Sequence, residues 1–233
     1  MHDIICLARE GLHNNTVFHH YTIFLLIFQE KFLKNDVLSI TRAHSEYTLS
    51  NEERVGVGNM KRTVWLWELV GFAVTSLLGT LLHFLYDFTG GAIWAAAFSG
   101  VNESTFEHMK LLFFPMLAFT LIQGFFFKDY KSFPCVKLRG ILIGLALIPL
   151  LFYTYNGVIG KSPDFVNIAI FFISAAIAYA YETRALNSGR VKCTHPRLAY
   201  GVLIGIALLF VLFTFVAPRL EIFRDPITGE YGI

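Results

Sequence analysis

Five apolar segments, each close to the length that crosses a lipid bilayer, constrain this chain more than any other feature. A membrane-spanning helix needs about 17–25 mostly apolar residues. Because lipid offers the backbone no hydrogen bonds, each segment is predicted to be a helix that satisfies its own amide groups. The sequence therefore predicts an all-α, polytopic membrane bundle of about five transmembrane helices, at residues 64–88, 111–127, 140–155, 165–181 and 198–217.

The composition agrees with a membrane location. The chain is 55% hydrophobic and only 15% charged, whereas soluble domains carry about 25% charged residues. The net charge is +2, and no basic face with interleaved aromatic residues is present, so a lipid bilayer and not nucleic acid is the predicted partner. Cys193-Thr-His195 is a weak metal-binding pattern, and a free thiol beside a loop histidine is the preferred interpretation.

Lysine and arginine residues predict the orientation of the spans, because cytoplasmic loops are enriched in them. The side of the predicted bundle at which the first span begins carries ten lysine and arginine residues. The opposite side carries four: Lys110, Lys161, Arg219 and Arg224. We therefore expect residues 60–233 to cross a bacterial cytoplasmic membrane with the N-terminal end inside and the C-terminal end outside. The ten are Lys61, Arg62, Lys128, Lys131, Lys137, Arg139, Arg184, Arg190, Lys192 and Arg197.

Three regions are predicted along the chain. Residues 1–59 are polar and irregular and form a poorly ordered extension. Met60 is followed at once by two basic residues and a long apolar segment. Residues 1–59 are therefore either read-through upstream of a start at Met60 or a genuine cytoplasmic arm. Residues 60–217 form the transmembrane domain, and residues 218–233 form an outer tail that we expect to fold over the outer mouth as a lid.

Ionisable side chains are concentrated where the second span begins, in "SGVNESTFEHMKLLFFP". Ser104 and Glu107 fit a helix-capping box, which explains part of this stretch without any function. The remaining charges recur along one helical face, and membrane-embedded ionisable groups normally face the bundle interior. Together with two residues of the first span they predict one polar cluster on the outer side: His83, Asp87, Asn102, Glu103, Glu107, His108 and Lys110.

The residue types of this cluster favour the binding of a small polar ligand or an ion, either a proton or a metal cation. No cofactor is evident from a motif, and a divalent metal is one candidate, because imidazole and carboxylate groups suit zinc and similar ions. No HExxH motif is present. The candidate metal ligands are His83, Asp87, Glu103, Glu107 and His108.

Two alternatives stay open. In a membrane-embedded hydrolase or transferase, Glu107 or His108 would act as general base, and Lys110 or Asn102 would stabilise developing negative charge. In a structural or accessory subunit, the cluster would be an ion-pair network between helices. The sequence does not decide whether the protein is an enzyme.

Other features of the spans concern pairing between helices. Glu68, near the inner end of the first span, is expected to extend toward the surface or to pair with Arg184. Two GxxxG patterns, at Gly140/Gly144 and Gly201/Gly205, predict close helix contacts. Five spans are few for a carrier, so a transport role would require a homodimer.

Two motifs carry a resemblance to a known family. The first is Asn-Glu-Ser-x-x-Glu-His-x-Lys, at residues 102–110, and the second is Asp-Pro-x-Thr-Gly-x-Tyr-Gly, at residues 225–232. With these motifs the chain, from about residue 60 to its end, resembles a family of small bacterial integral membrane proteins of unknown function. The resemblance implies a membrane location and no particular activity.

Overall fold

The computed structural model describes residues 56–160 and 163–233. Residues 1–55 of the predicted N-terminal extension lie outside the described residues, and so do the expectations for them. Six α-helices and one short 3-10 helix follow one another in the described part: α1 (Gly56–Phe88), α2 (Ile93–Ala96), α3 (Thr105–Phe126), α4 (Phe133–Ile159), α5 (Asp164–Ser188), α6 (Pro196–Phe215) and the 3-10 helix Glu221–Phe223.

Five of these helices are long and apolar enough to cross a membrane, namely α1, α3, α4, α5 and α6. The prediction of an all-α bundle with five candidate spans is confirmed, and the described residues form no β-strand beyond one isolated bridge between Arg224 and Tyr231. Large apolar side chains such as Leu81, Phe125 and Leu208 are more than half exposed on the helices. Such an apolar exterior suits lipid better than water.

Small residues let the helices approach one another closely. A Cβ atom at Gly144 of α4 would lie 2.9 Å from Leu112 of α3 and 3.3 Å from Ala178 of α5. A Cβ atom at Gly71 of α1 would lie 2.5 Å from Phe119 of α3 and 2.7 Å from Tyr179 of α5. Buried apolar side chains fill the space between the helices, among them Phe113, Met116, Ile141, Ala175, Leu203 and Phe210.

A disulfide between Cys135 and Cys193 joins the start of α4 to the segment before α6, with the two Cα atoms 5.6 Å apart. The expectation of a free thiol at Cys193 is therefore wrong. The sequence did not reveal the pair because the two cysteines are 58 residues apart and come together only when α4 packs near α6. The bond also removes the thiol from the weak Cys193-Thr-His195 metal pattern.

Candidate functional site

Three side chains converge near the end of the bundle where α1 finishes and α3 begins. The Nε2 atom of His83 lies 3.6 Å from one carboxylate oxygen of Glu103, and the Nε2 atom of His108 lies 3.5 Å from the other. One candidate ligand atom from each residue falls within 4.8 Å of the other two. We call His83, Glu103 and His108 the His-Glu-His group.

Local structure at the start of α3 fixes this geometry. Ser104 is the N-cap residue, and its side chain accepts a hydrogen bond from the backbone amide of Glu107 at 3.3 Å, as the capping pattern predicts. The backbone amide of Ser104 donates to the Asn102 side chain at 2.9 Å, which holds the loop that carries Glu103. The Nδ1 atom of His108 lies 2.9 Å from the carbonyl oxygen of Ser104.

The contact with Ser104 sets the chemistry of His108. When Nδ1 donates its hydrogen to the carbonyl, Nε2 carries a lone pair and faces the carboxylate of Glu103. A lone pair and a carboxylate oxygen repel each other unless a positive charge lies between them. This arrangement suits either a bound cation or a protonated imidazole.

The distances favour two ligands of one ion over a direct hydrogen bond. Charge-assisted N–H···O bonds are about 2.7–2.9 Å long, and both contacts to Glu103 are longer, at 3.5 and 3.6 Å. Two ligands at about 2.0–2.1 Å from a tetrahedral zinc ion lie roughly 3.3 Å apart. The three candidate ligand atoms lie within 4.8 Å of one another, so the group would have to contract to coordinate such an ion.

The group is accessible from the outside of the bundle. The side chain of Glu103 is 43% exposed, and those of His83 and His108 are 22% and 23% exposed. A shallow groove adjoins Glu103 and His108. Its other walls are mostly apolar: Thr105, Ile148, Phe152, Asn167, Ile170 and Phe171.

Glu107 and Lys110, which the sequence placed in the same cluster, form a separate buried pair. The Nζ atom of Lys110 lies 2.8 Å from Glu107, and it also donates to the carbonyl of Ala96 at 2.8 Å and to Thr214 at 2.6 Å. An ammonium group has three hydrogens to donate, so all are used. Neither residue lines the groove. The pair ties α3 to α2 and α6.

The two remaining residues of the predicted cluster are not members of the His-Glu-His group. The side chain of Asn102 donates to the carbonyl of Gly232 at 2.9 Å and so binds the C-terminal tail. Asp87 lies one turn after His83, is exposed, and does not belong to the group of three.

A second polar network lies at the opposite end of the helices and was missed by the sequence analysis. The Nζ atom of Lys137 lies 2.8 Å from Glu68 and 2.6 Å from Glu182, and Gln123 donates to Glu68 at 2.9 Å. The prediction that Glu68 extends to the surface or pairs with Arg184 is wrong, because its partners are Lys137 and Gln123. The sequence pattern that could have predicted this network is a set of polar residues one or two turns inside otherwise apolar spans.

A family model matches residues 58–233 of the chain and is described as a family of unknown function, DUF6512. The chain belongs to this family. No curated protein and no solved structure matches it at a significant level. Both polar groups lie inside the matched region.

Proposed function

We propose that this DUF6512 protein is a multi-pass protein of the bacterial cytoplasmic membrane that binds a divalent cation through its His-Glu-His group. One observation carries the proposal: two imidazole nitrogens face the two oxygens of one carboxylate at 3.6 and 3.5 Å. These distances are too long for strong hydrogen bonds and close to those between ligands of one metal ion.

The ligand types favour zinc or a similar transition metal ion. Imidazole nitrogen suits zinc, copper, nickel and iron, whereas magnesium and calcium prefer sites made of oxygen atoms. Three protein ligands leave a fourth tetrahedral position for water or a small ligand, the usual arrangement where zinc meets a substrate. That position would be reached through the adjoining groove.

A membrane-embedded, metal-dependent hydrolase or transferase is the second candidate, and the groove favours it. Its walls are mostly apolar, while Glu103 and His108 supply polar groups at one end. An amphiphilic substrate would place its acyl portion along the wall and its polar portion beside the cation. Glu107 and Lys110 are buried and fully engaged with each other, so water activation would fall to a bound metal ion.

Thermal unfolding of the full chain in detergent, with and without zinc chloride, tests the proposal. A ligand that binds only the folded state stabilises it by about 2.7 kcal/mol at a hundred times its dissociation constant. We expect zinc to raise the melting temperature of the wild type and EDTA to reverse the rise. The double variant His83→Ala/His108→Ala should show no comparable rise.

The control variant is His195→Ala, which removes an exposed histidine at the other end of the bundle. The protein is purified without a polyhistidine tag, because added histidines would bind zinc themselves. An equal zinc response in the wild type, the double variant and the control would contradict the proposal.

A further inference from the structure

Four helices contribute to the buried network around Lys137, and its members are at most 1% exposed. Glu68 lies on α1, Gln123 on α3, Lys137 on α4 and Glu182 on α5. Along α1, Glu68 and His83 are 15 residues apart, which corresponds to about 22 Å at 1.5 Å per residue. The network is therefore separate from the His-Glu-His group.

The charges of the network do not balance when all its groups are ionised. Lys137 donates to both oxygens of Glu68, at 2.9 and 2.8 Å, and to one oxygen of Glu182 at 2.6 Å. Two carboxylates and one ammonium group leave one negative charge. Within the described part of the chain, no second cation pairs with either carboxylate. An uncompensated charge is very costly in a buried apolar site.

Two acceptor atoms of the network have no hydrogen-bond partner. They are the Oε1 atom of Glu182 and the Oε1 atom of Gln123, and both are buried. The Glu107–Lys110 pair differs, because there one carboxylate faces one ammonium group, and no side-chain polar atom of either residue lacks a hydrogen-bond partner. The network around Lys137 thus lacks one positive charge, and two of its acceptor atoms lack a donor.

The backbone of α4 approaches Glu182 closely. Gly140 brings the backbone of α4 against Glu182, and a Cβ atom at Gly140 would collide with the carboxyl group. The aromatic rings of Phe119, Phe133 and Tyr179 surround the ammonium group of Lys137 at 5.4–6.0 Å. A proton supplies the missing charge and converts one unpartnered acceptor into an O–H group, without occupying additional volume.

The other titratable groups near the network do not supply the missing charge. The hydroxyl of Tyr179 on α5 pairs with Thr75 of α1 at 2.7 Å. Tyr200 of α6 has its hydroxyl against Gly124, beside Gln123. From α3, the network receives only the neutral amide of Gln123.

We propose that Glu68, Lys137 and Glu182 form a buried proton-binding site that holds one proton, on the unpartnered Oε1 atom of Glu182. Binding converts one carboxylate into a carboxylic acid and brings the charge of the site to zero. Release returns the proton to water and leaves one negative charge between α1, α4 and α5. The site is independent of cation binding at the His-Glu-His group.

Infrared spectroscopy tests this proposal, because a protonated carboxyl group absorbs above the amide I region and a carboxylate does not. The full chain is labelled with carboxyl-¹³C glutamate and studied at pH 7 in dodecyl maltoside, which has no ester carbonyl. We expect one label-sensitive carboxylic acid band in the wild type. The absence of such a band would overturn the proposal without the use of any variant.

Two variants identify the cause of protonation. In Glu182→Gln, and equally in Glu68→Gln, the remaining carboxylate balances Lys137, so we expect the band to disappear in both. The control Glu221→Gln removes a carboxylate that is 73% exposed, and it should keep the band. A band that survives in either variant would overturn the proposal that Glu68 and Glu182 share the charge of Lys137 and one proton.

Replacing sodium with choline distinguishes a proton from a monovalent metal ion as the resident ligand. The proposal expects the same band in both media at pH 7. A band that appears only after sodium is removed would mean that sodium occupies the site, and it would overturn the assignment of the proton as resident ligand.

Discussion

At the residue scale, the two buried lysines differ in the charge that surrounds them. Lys110 faces one carboxylate and two neutral oxygen atoms. Lys137 faces two carboxylates. Neutralising one carboxylate should therefore have opposite consequences at the two places, since it leaves Lys110 unpaired and leaves Lys137 balanced.

Glu107→Gln should strongly destabilise the protein, because it leaves the ammonium group of Lys110 buried without a counter-charge. Breaking a buried ion pair in this way costs about 3–5 kcal/mol. We expect a clearly lowered melting temperature in detergent, whereas the exposed control Glu221→Gln should match the wild type. A Glu107→Gln protein as stable as the wild type would show that the pair does not hold α3 to its neighbours.

Single residues also show how far the sequence could predict the candidate site. Glu103, His108 and His83 were predicted as site residues because their residue types stand out at the ends of apolar spans. Their separation from Glu107 and Lys110 could not be predicted, since helical spacing alone places all five on one side. The partner of Lys110 on α6, Thr214, is 104 residues away and has no sequence signal.

At the scale of helices, two similar GxxxG patterns have different surroundings. Gly140 and Gly144 of α4 lie against side chains of α3 and α5, whereas Cβ atoms at Gly201 and Gly205 of α6 would meet nothing within 4 Å. The pattern predicts close approach only where a partner helix is present. The spacing of the glycines does not show which of the two helices has such a partner.

Gly140→Ala should lower the melting temperature, because its methyl group would collide with the fully buried carboxyl of Glu182. Overpacking of this kind costs roughly 1–3 kcal/mol. The matched control is Gly201→Ala, which adds the same atom in open space on α6 and should not destabilise the bundle. Equal melting temperatures for the two variants would contradict the packing described around Glu182.

The C-terminal tail packs against the loop that carries Glu103. Phe223 packs against Phe106 with ring centroids 4.4 Å apart, and the carbonyl of Gly232 accepts a hydrogen bond from Asn102. These two contacts lie on either side of Glu103 in the sequence. The role of the tail as a lid stays a prediction, and its contacts also suit a second role, in which it holds Glu103 in place.

Gly232→Ala should release the tail, because a Cβ atom there would lie 3.2 Å from Ala217 and from the carbonyl of Thr214, at a φ of +71°. We expect faster amide hydrogen exchange in residues 224–231 and weaker zinc binding. The control Gly189→Ala has a similar φ of +61° but meets nothing within 4 Å. Unchanged exchange and zinc binding in Gly232→Ala would contradict this role of the tail.

At the scale of the whole molecule, the fold was predictable because the lengths and hydropathy of the spans leave little choice. The network around Lys137 was not, because it depends on how four helices pack. The structure also buries Lys110 and Lys137 inside the bundle. Without them, the count that predicts orientation is nine basic residues on the predicted cytoplasmic side and three on the outer side. The predicted orientation is therefore unchanged.

Cysteine labelling tests the orientation, because Cys135 and Cys193 lie at the end predicted to be cytoplasmic. In a Cys6→Ser background, intact cells are first treated with a membrane-permeant reductant that opens the Cys135–Cys193 disulfide. We then expect both thiols to be protected from an impermeant maleimide until the cells are lysed. The control Ile227→Cys, at a tail position that is 73% exposed, should react from outside. Labelling of Cys135 or Cys193 in the reduced intact cells, with Ile227→Cys protected, would reverse the predicted orientation.

Equilibrium dialysis of the full chain against zinc tests most directly whether His83, Glu103 and His108 form a metal site. Five of the eight histidines lie in residues 1–59, so the informative quantity is the difference between variants. We predict that the wild type and His195→Ala bind one zinc ion more per chain than His83→Ala/His108→Ala. Equal zinc content in all three proteins would contradict cation binding at the His-Glu-His group.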